Sequence, residues 1–173
     1  MRVVAGEFKG RRLHSPRGTG TRPTADKVRE ALFSMLGDVS GARVLDLYAG
    51  SGALGIEALS RGAASVEFVD DDSRAVAAIR RNLAAVGAEA PVSRRDAMRF
   101  LARVQGRYDL VLIDPPYDSA PRLAGPLAER LPPVLAKGAR VVTESDKRQP
   151  LVLPLPLRRE RVYGDTRIAV HGR

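Results

Sequence analysis

The stretch DLYAGSGALG, residues 46–55, decides how this 173-residue chain folds. Gly50, Gly52 and Gly55 form a complete G-x-G-x-x-G, and Asp70 follows at about the ~20-residue distance expected of a dinucleotide site. Glycines so spaced let the backbone turn tightly after a strand and bring amide N–H groups and a helix N-terminus close to a nucleotide-like ligand. What precedes them matters as much. Asp46 stands four residues before Gly50, where a fixed carboxylate would repel a pyrophosphate and attract a cationic amine. The ligand this favours is S-adenosylmethionine, which carries an ammonium and a sulfonium and no phosphate.

Outward from this loop, apolar runs alternate with amphipathic segments in the βα rhythm of a mostly parallel sheet covered on both faces. Strands are expected over 43–47, 66–69, 91–94, 110–113 and 140–143. Thr24 is placed to cap a helix whose Val28, Ala31, Leu32, Met35 and Leu36 recur at helical spacing, with Gly37 to stop it. Ser73 is placed to cap a second helix ending at Gly87. After Thr143 the rhythm changes, and two extended runs around Tyr163-Gly164-Asp165 predict an antiparallel C-terminal hairpin. At the other end RVVAGEFKGRRL reads as a small basic hairpin turning near Lys9-Gly10, joined to the first helix by a Gly/Pro/Ser/Thr-rich linker. The expected division is a hairpin and linker over 1–20 and one catalytic-type domain over 21–173.

Composition removes several function classes. The chain has no cysteine and only two histidines, His14 and His171, so thiol chemistry, disulfides, a zinc site and His-based catalysis are not expected, and no metal is. No apolar run approaches the ~20 residues of a membrane span, and the N-terminus lacks a signal-peptide core, so a cytoplasmic protein is expected, as a monomer. The net charge of +9 sits at the ends: residues 1–30 and 147–173 each carry +5, while the middle sums to −1. A near-neutral centre with basic edges fits a small-molecule domain that meets a polyanion. Arg2, Lys9, Arg11, Arg12 and Arg17 are the candidate polyanion-binding residues.

The fourth strand runs into DPPY, Asp114 to Tyr117. Pro115 and Pro116 have fixed φ and no N–H, so they hold a rigid loop that presents carbonyls. Such a loop suits a planar NH₂ group, whose lone pair is conjugated with its ring. Accepting its hydrogens on the Asp114 carboxylate and the Pro115 carbonyl favours a pyramidal nitrogen and stabilises the developing positive charge. Tyr117 is placed to stack on the base. Asp70, ending the second strand, would take ribose hydroxyls, and Asp96, after the third, the adenine edge. Plainer readings of the same residues are that Asp46 caps a helix and that Asp96 caps the helix beginning at Ala97.

Taken in order, RVVAGEFKGRRL, RPTADKVREALFSML, DLYAGSGALGIEALSRGA, VDDD, RDAMRFL, DPPY and VTES resemble the RsmD family of bacterial ribosomal RNA methyltransferases over essentially the whole chain. The resemblance implies a class I, Rossmann-like methyltransferase fold: a mostly parallel seven-stranded sheet with an antiparallel C-terminal hairpin and a small N-terminal β-hairpin extension. It implies methylation of the N2 of one guanine in small-subunit ribosomal RNA near the P site, with the assembled or assembling small subunit as partner and S-adenosylmethionine as cofactor. Residue by residue it assigns Asp46, Gly50 and Gly52 to the methionine part, Asp70 to the ribose, Asp96 to the adenine, and Asp114, Pro115, Pro116 and Tyr117 to the target base, with Ser51 and Ala97 as further cofactor-binding residues. Arg22 and Thr24 match its RPT segment and would close over the cofactor. Many members have Glu where this chain has the shorter Asp70, which brings in Asp71 as an alternative ribose contact.

Three other readings stand beside it. A nicotinamide oxidoreductase accounts for the glycines and Asp70 but gives no role to Asp46, DPPY or the basic ends. A non-catalytic RNA-binding module accounts for the charge but leaves the glycine loop without a purpose. An amino methyltransferase acting on adenine in DNA, on another RNA guanine or on a glutamine side chain would use the same DPPY, because each offers a planar NH₂.

Overall fold

The computed structural model describes residues 1–16 and 26–172. Arg17, Arg22, Thr24 and the expected Thr24 cap lie outside the described residues. Helix α1 (Asp26–Leu36) is followed by β1 (Arg43–Leu47), α2 (Ala53–Ser60), β2 (Ser65–Asp70), α3 (Ser73–Val86), β3 (Val92–Arg94), α4 (Ala97–Leu101), β4 (Tyr108–Ile113), α5 (Ala120–Arg130), β5 (Leu135–Asp146), β6 (Leu157–Tyr163) and β7 (Thr166–Gly172). They form one seven-stranded sheet in the order β3-β2-β1-β4-β5-β7-β6. β1 to β5 run parallel; β7 is antiparallel to both β5 and β6. The expected mostly parallel sheet with an antiparallel C-terminal hairpin is what the chain forms.

Both sheet faces are covered, which is why the central strands are almost continuously apolar. Val44 on β1, with Leu110 and Leu112 on β4, faces the layer of α1, α2 and α3; Leu45, Leu47, Val111 and Ile113 face α4 and α5. Gly55 lets α2 lie close on the sheet, because a Cβ there would stand 2.3 Å from the Phe68 ring and 2.8 Å from Val66.

Several elements differ from expectation. The cap of α3 is Asp72, whose carboxylate accepts from the Arg74 N–H at 2.8 Å, and Ser73 is the first helical residue. A carboxylate is a strong acceptor beside a helix N-terminus, so the acid takes the capping place. The buried face of α1 is Arg29, Leu32, Phe33 and Leu36, while Val28, Ala31 and Met35 are half-buried. β5 extends from Leu135 to Asp146, beyond the expected 140–143, with a register shift opposite Tyr108/Leu110.

The N-terminal segment forms the expected small hairpin: Arg2 bridges Arg12 antiparallel, and Leu13 N donates to Met1 O at 3.0 Å, Val3 N to Arg11 O at 3.0 Å and Gly10 N to Val3 O at 2.9 Å. It is held by side chains of the body. The fully buried Glu57 carboxylate accepts from Val4 N at 2.8 Å and Ala5 N at 3.0 Å, pairs with Arg61 at 2.8 Å, and faces the buried Arg29 at 3.5 Å. Arg29 in turn donates to the Arg2 carbonyl and to Asp26. Val3 and Leu13 are buried in the main core.

Candidate active site

The strand order reverses around β1 and β4, the switch point where open α/β sheets leave a ligand crevice at their carboxyl edge. The glycine loop lies on one side of it and DPPY on the other. The loop leaves β1 through Tyr48, whose φ of 58° is left-handed, and enters α2 at Gly52, whose φ of 76° suits glycine. Tyr48 alone among the described non-glycine residues has positive φ, a strain of the kind that clusters at functional sites. Its hydroxyl is buried and finds no hydrogen-bond partner among the described residues. Sequence reasoning passed over Tyr48, because no periodicity marks a strained residue.

Asp46 lies inside β1, 1% exposed, and accepts from the Gly55 N–H of α2 at 2.9 Å. The helix-capping reading of this acid therefore describes a bond that is present. Burial pushes its carboxyl well above the usual range, the Gly55 bond opposes this, and the nearby Asp114 and Asp70 charges add to the rise. Asp70 fixes the loop from the end of β2: its oxygens accept Gly50 N at 2.8 Å and Asp72 N at 2.9 Å. Its carboxyl is also raised, by burial, against the two amides. Asp71 is exposed. Asp96 stands two residues past β3, exposed, and caps α4 by accepting from Arg99 N at 2.9 Å. The buried Ala97 opens that helix. Ser51 is tied to α3 by Asn82, whose amide donates to the Ser51 carbonyl at 2.8 Å and to the His14 carbonyl at 2.9 Å.

In DPPY, Pro115 is buried, Pro116 exposed, and Asp114 and Tyr117 half-buried. The Pro116 carbonyl accepts from Ser119 N at 2.9 Å and Ser119 Oγ at 2.7 Å. The Pro115 carbonyl accepts no hydrogen bond among the described residues. The Tyr117 hydroxyl meets Thr166 Oγ1 of β7 at 3.0 Å, a support invisible in a sequence where the two stand 49 residues apart. Arg2, Lys9, Arg11 and Arg12 are exposed on the N-terminal segment. No group of three or more His, Cys, Asp or Glu that could hold a metal occurs among the described residues. No helix among them is long and apolar enough to cross a membrane.

A doubly wound sheet ending in β5-β7-β6, with an acid-lined glycine loop at its switch point, is the architecture of a class I methyltransferase. Comparison with known proteins narrows this. The family profile described as "Conserved hypothetical protein 95" matches residues 1–172. The chain is 39% identical to the Bacillus subtilis protein named "Putative rRNA methyltransferase YlbH", over 99% of this chain and 98% of that protein. It is 43% identical to "Ribosomal RNA small subunit methyltransferase D" of Escherichia coli, over 68% of this chain and 60% of that protein. Among solved structures, "Putative methyltransferase yhhF" from Escherichia coli superposes with a TM-score of 0.85 at 35% identity, covering 100% of this chain and 97% of that one. The chain belongs to the RsmD family of class I methyltransferases.

Proposed function

We propose that the protein transfers the methyl group of S-adenosylmethionine to the exocyclic N2 of a guanine in small-subunit ribosomal RNA, near the P site. The observation that carries the chemistry is the pairing at the switch point of an acid-lined glycine loop with a carboxylate, Asp114, followed by a carbonyl, Pro115, that has no partner among the described residues. The names of its relatives support ribosomal RNA as the substrate class.

The residues fit the cofactor. Asp46, Asp70 and Asp114 concentrate negative charge where a cationic ligand gains and a pyrophosphate loses, which disfavours the nicotinamide reading. The N-terminus of α2 offers partial positive charge to a ligand carboxylate. Asp71, and the lone pairs left on Asp70, serve as ribose acceptors, and Asp96 at the start of α4 serves the adenine, with Ala97 beside it. When bound, adenosylmethionine supplies an electrophilic methyl group. The chain's own work is on the amine. Asp114 and Pro115 accept its two N–H groups, free the nitrogen lone pair from the ring, hold the positive charge that develops and give the departing proton an acceptor. Tyr117, anchored through Thr166, stacks on the base, while Pro116 stiffens the loop.

The test separates binding from chemistry. Asp114→Ala leaves adenosylmethionine affinity within a few-fold of wild type by calorimetry, while single-turnover transfer to small subunits falls about 10²-fold or more. Wild-type transfer by this variant would remove Asp114 from the mechanism.

A further inference from the structure

The edge strand β6 and helix α1 enclose a groove that the site above does not use. Its cavity volume is about 750 Å³, within the range that holds a ligand of nucleotide size. Arg159, Arg161 and Tyr163 pair across the ladder with Val170, Ile168 and Thr166. Direct cross-strand partners share a sheet face, and Val170 and Ile168 belong to the core beneath α1, so these three side chains stand on the α1 side. Lys27 and Ser34 of α1 line the opposite wall.

Three features of this groove point to one occupant. Among the described residues Lys27 and Arg161 form no ion pair with a carboxylate, Arg159 donates to the Met35 carbonyl of α1 at 3.0 Å, and the lining acid Glu160 is held by Arg167 at 2.6 Å. The other lining acid is Glu30. Tyr163 lines the same groove and is 37% exposed. Its partner across the turn, Thr166, is the residue that holds the Tyr117 hydroxyl, so one end of the groove meets DPPY. Cations along a backbone track with an aromatic platform are how proteins hold single-stranded nucleic acid, and a base presented for chemistry leaves its flanking nucleotides unstacked beside the pocket. We infer that the α1–β6 groove binds the single-stranded RNA next to the target guanosine, with Tyr163 stacking on a base and Lys27 and Arg161 contacting phosphates.

The inference rests on the RNA reading above. Charges on an edge strand also discourage edge-to-edge pairing, a role that would leave substrate binding untouched, and the experiment separates the two. The KM for small subunits, its salt dependence, adenosylmethionine affinity and the melting temperature are measured for wild type, Tyr163→Ala, Tyr163→Phe and the double variant Lys27→Ala/Arg161→Ala. The expected result is a KM raised about tenfold by Tyr163→Ala and about twofold or less by Tyr163→Phe. The double variant lowers the log–log salt slope by about 1.4, at ~0.7 per single-strand contact. Cofactor affinity and melting temperature stay at wild-type values. A photoreactive side chain in place of Tyr163 cross-links to RNA adjoining the methylated guanine. Wild-type KM and slope in the variants, or a cross-link to a ribosomal protein instead of RNA, would overturn the groove assignment alone. Failure of the wild-type enzyme to methylate the subunit would overturn the RNA reading and this inference with it.

Discussion

In the proposed site, Asp46 and Asp70 link protonation to cofactor binding. Burial is the main reason both carboxyls titrate above their ordinary range, so their folded pKa values exceed the unfolded ones. The sign follows: protons stabilise the free protein, and that contribution is fully present below the ordinary carboxylate range and lost as the pH rises through the raised values. A cationic ligand reverses the preference and favours the ionised acids. Between the ordinary and the raised range, adenosylmethionine binding is therefore expected to release protons and to weaken as the pH falls; Asp46→Asn should flatten both trends. Calorimetry in buffers of different ionisation enthalpy checks this, and binding without proton release across that window would contradict it. At this scale the sequence was partly legible. The acids at 46, 70, 96 and 114 stood out because their spacing from strand ends is local, whereas the Gly55 amide beneath Asp46 and the Thr166 hydroxyl under Tyr117 are set by tertiary contact.

Among the elements, α2 carries more than the glycine loop. Its Glu57 is buried, yet it lies in the apolar run ALGIEALS, where nothing local announces that its carboxylate binds two amides of the N-terminal segment and faces Arg29. Ser60, at the helix end, receives Phe8 N at 2.9 Å and bonds the Ala5 carbonyl. Glu57→Ala strips the Val4 and Ala5 amides and the Arg61 guanidinium of their shared acceptor and leaves the buried Arg29 with Asp26 and the Arg2 carbonyl, so it is expected to lower stability by about 3 to 5 kcal/mol. Urea denaturation measures it, and a loss below about 1 kcal/mol would show that the network carries little. The strands were legible because period-2 alternation and apolar runs are local signals. The cap at Asp72 and the full length of β5 were less so, since competing polar neighbours and strand pairing decide them.

For the whole molecule, the N-terminal segment touches the glycine loop and carries exposed cations. Val3 and Leu13 sit in the core, and Met1 Sδ lies 3.6 Å from Ser51 Oγ of the glycine loop. Deleting the segment would therefore disturb the cofactor loop as well as the charge, and neutralising exposed side chains is the cleaner probe. Lys9→Ala/Arg11→Ala/Arg12→Ala is expected to reduce the salt slope of RNA binding by about 2 to 3 units, at roughly 0.7 to 0.9 per phosphate contact. Adenosylmethionine affinity should hold; an unchanged slope would mean these charges only solvate the surface. The direct test of the central claim is chemical. Small subunits lacking the modification are incubated with the protein and methyl-labelled adenosylmethionine, and the RNA is digested to nucleosides for mass spectrometry. The account predicts label in N2-methylguanosine from a single position near the P site; label in a methylated adenosine, or none in RNA while another acceptor is methylated, would contradict it.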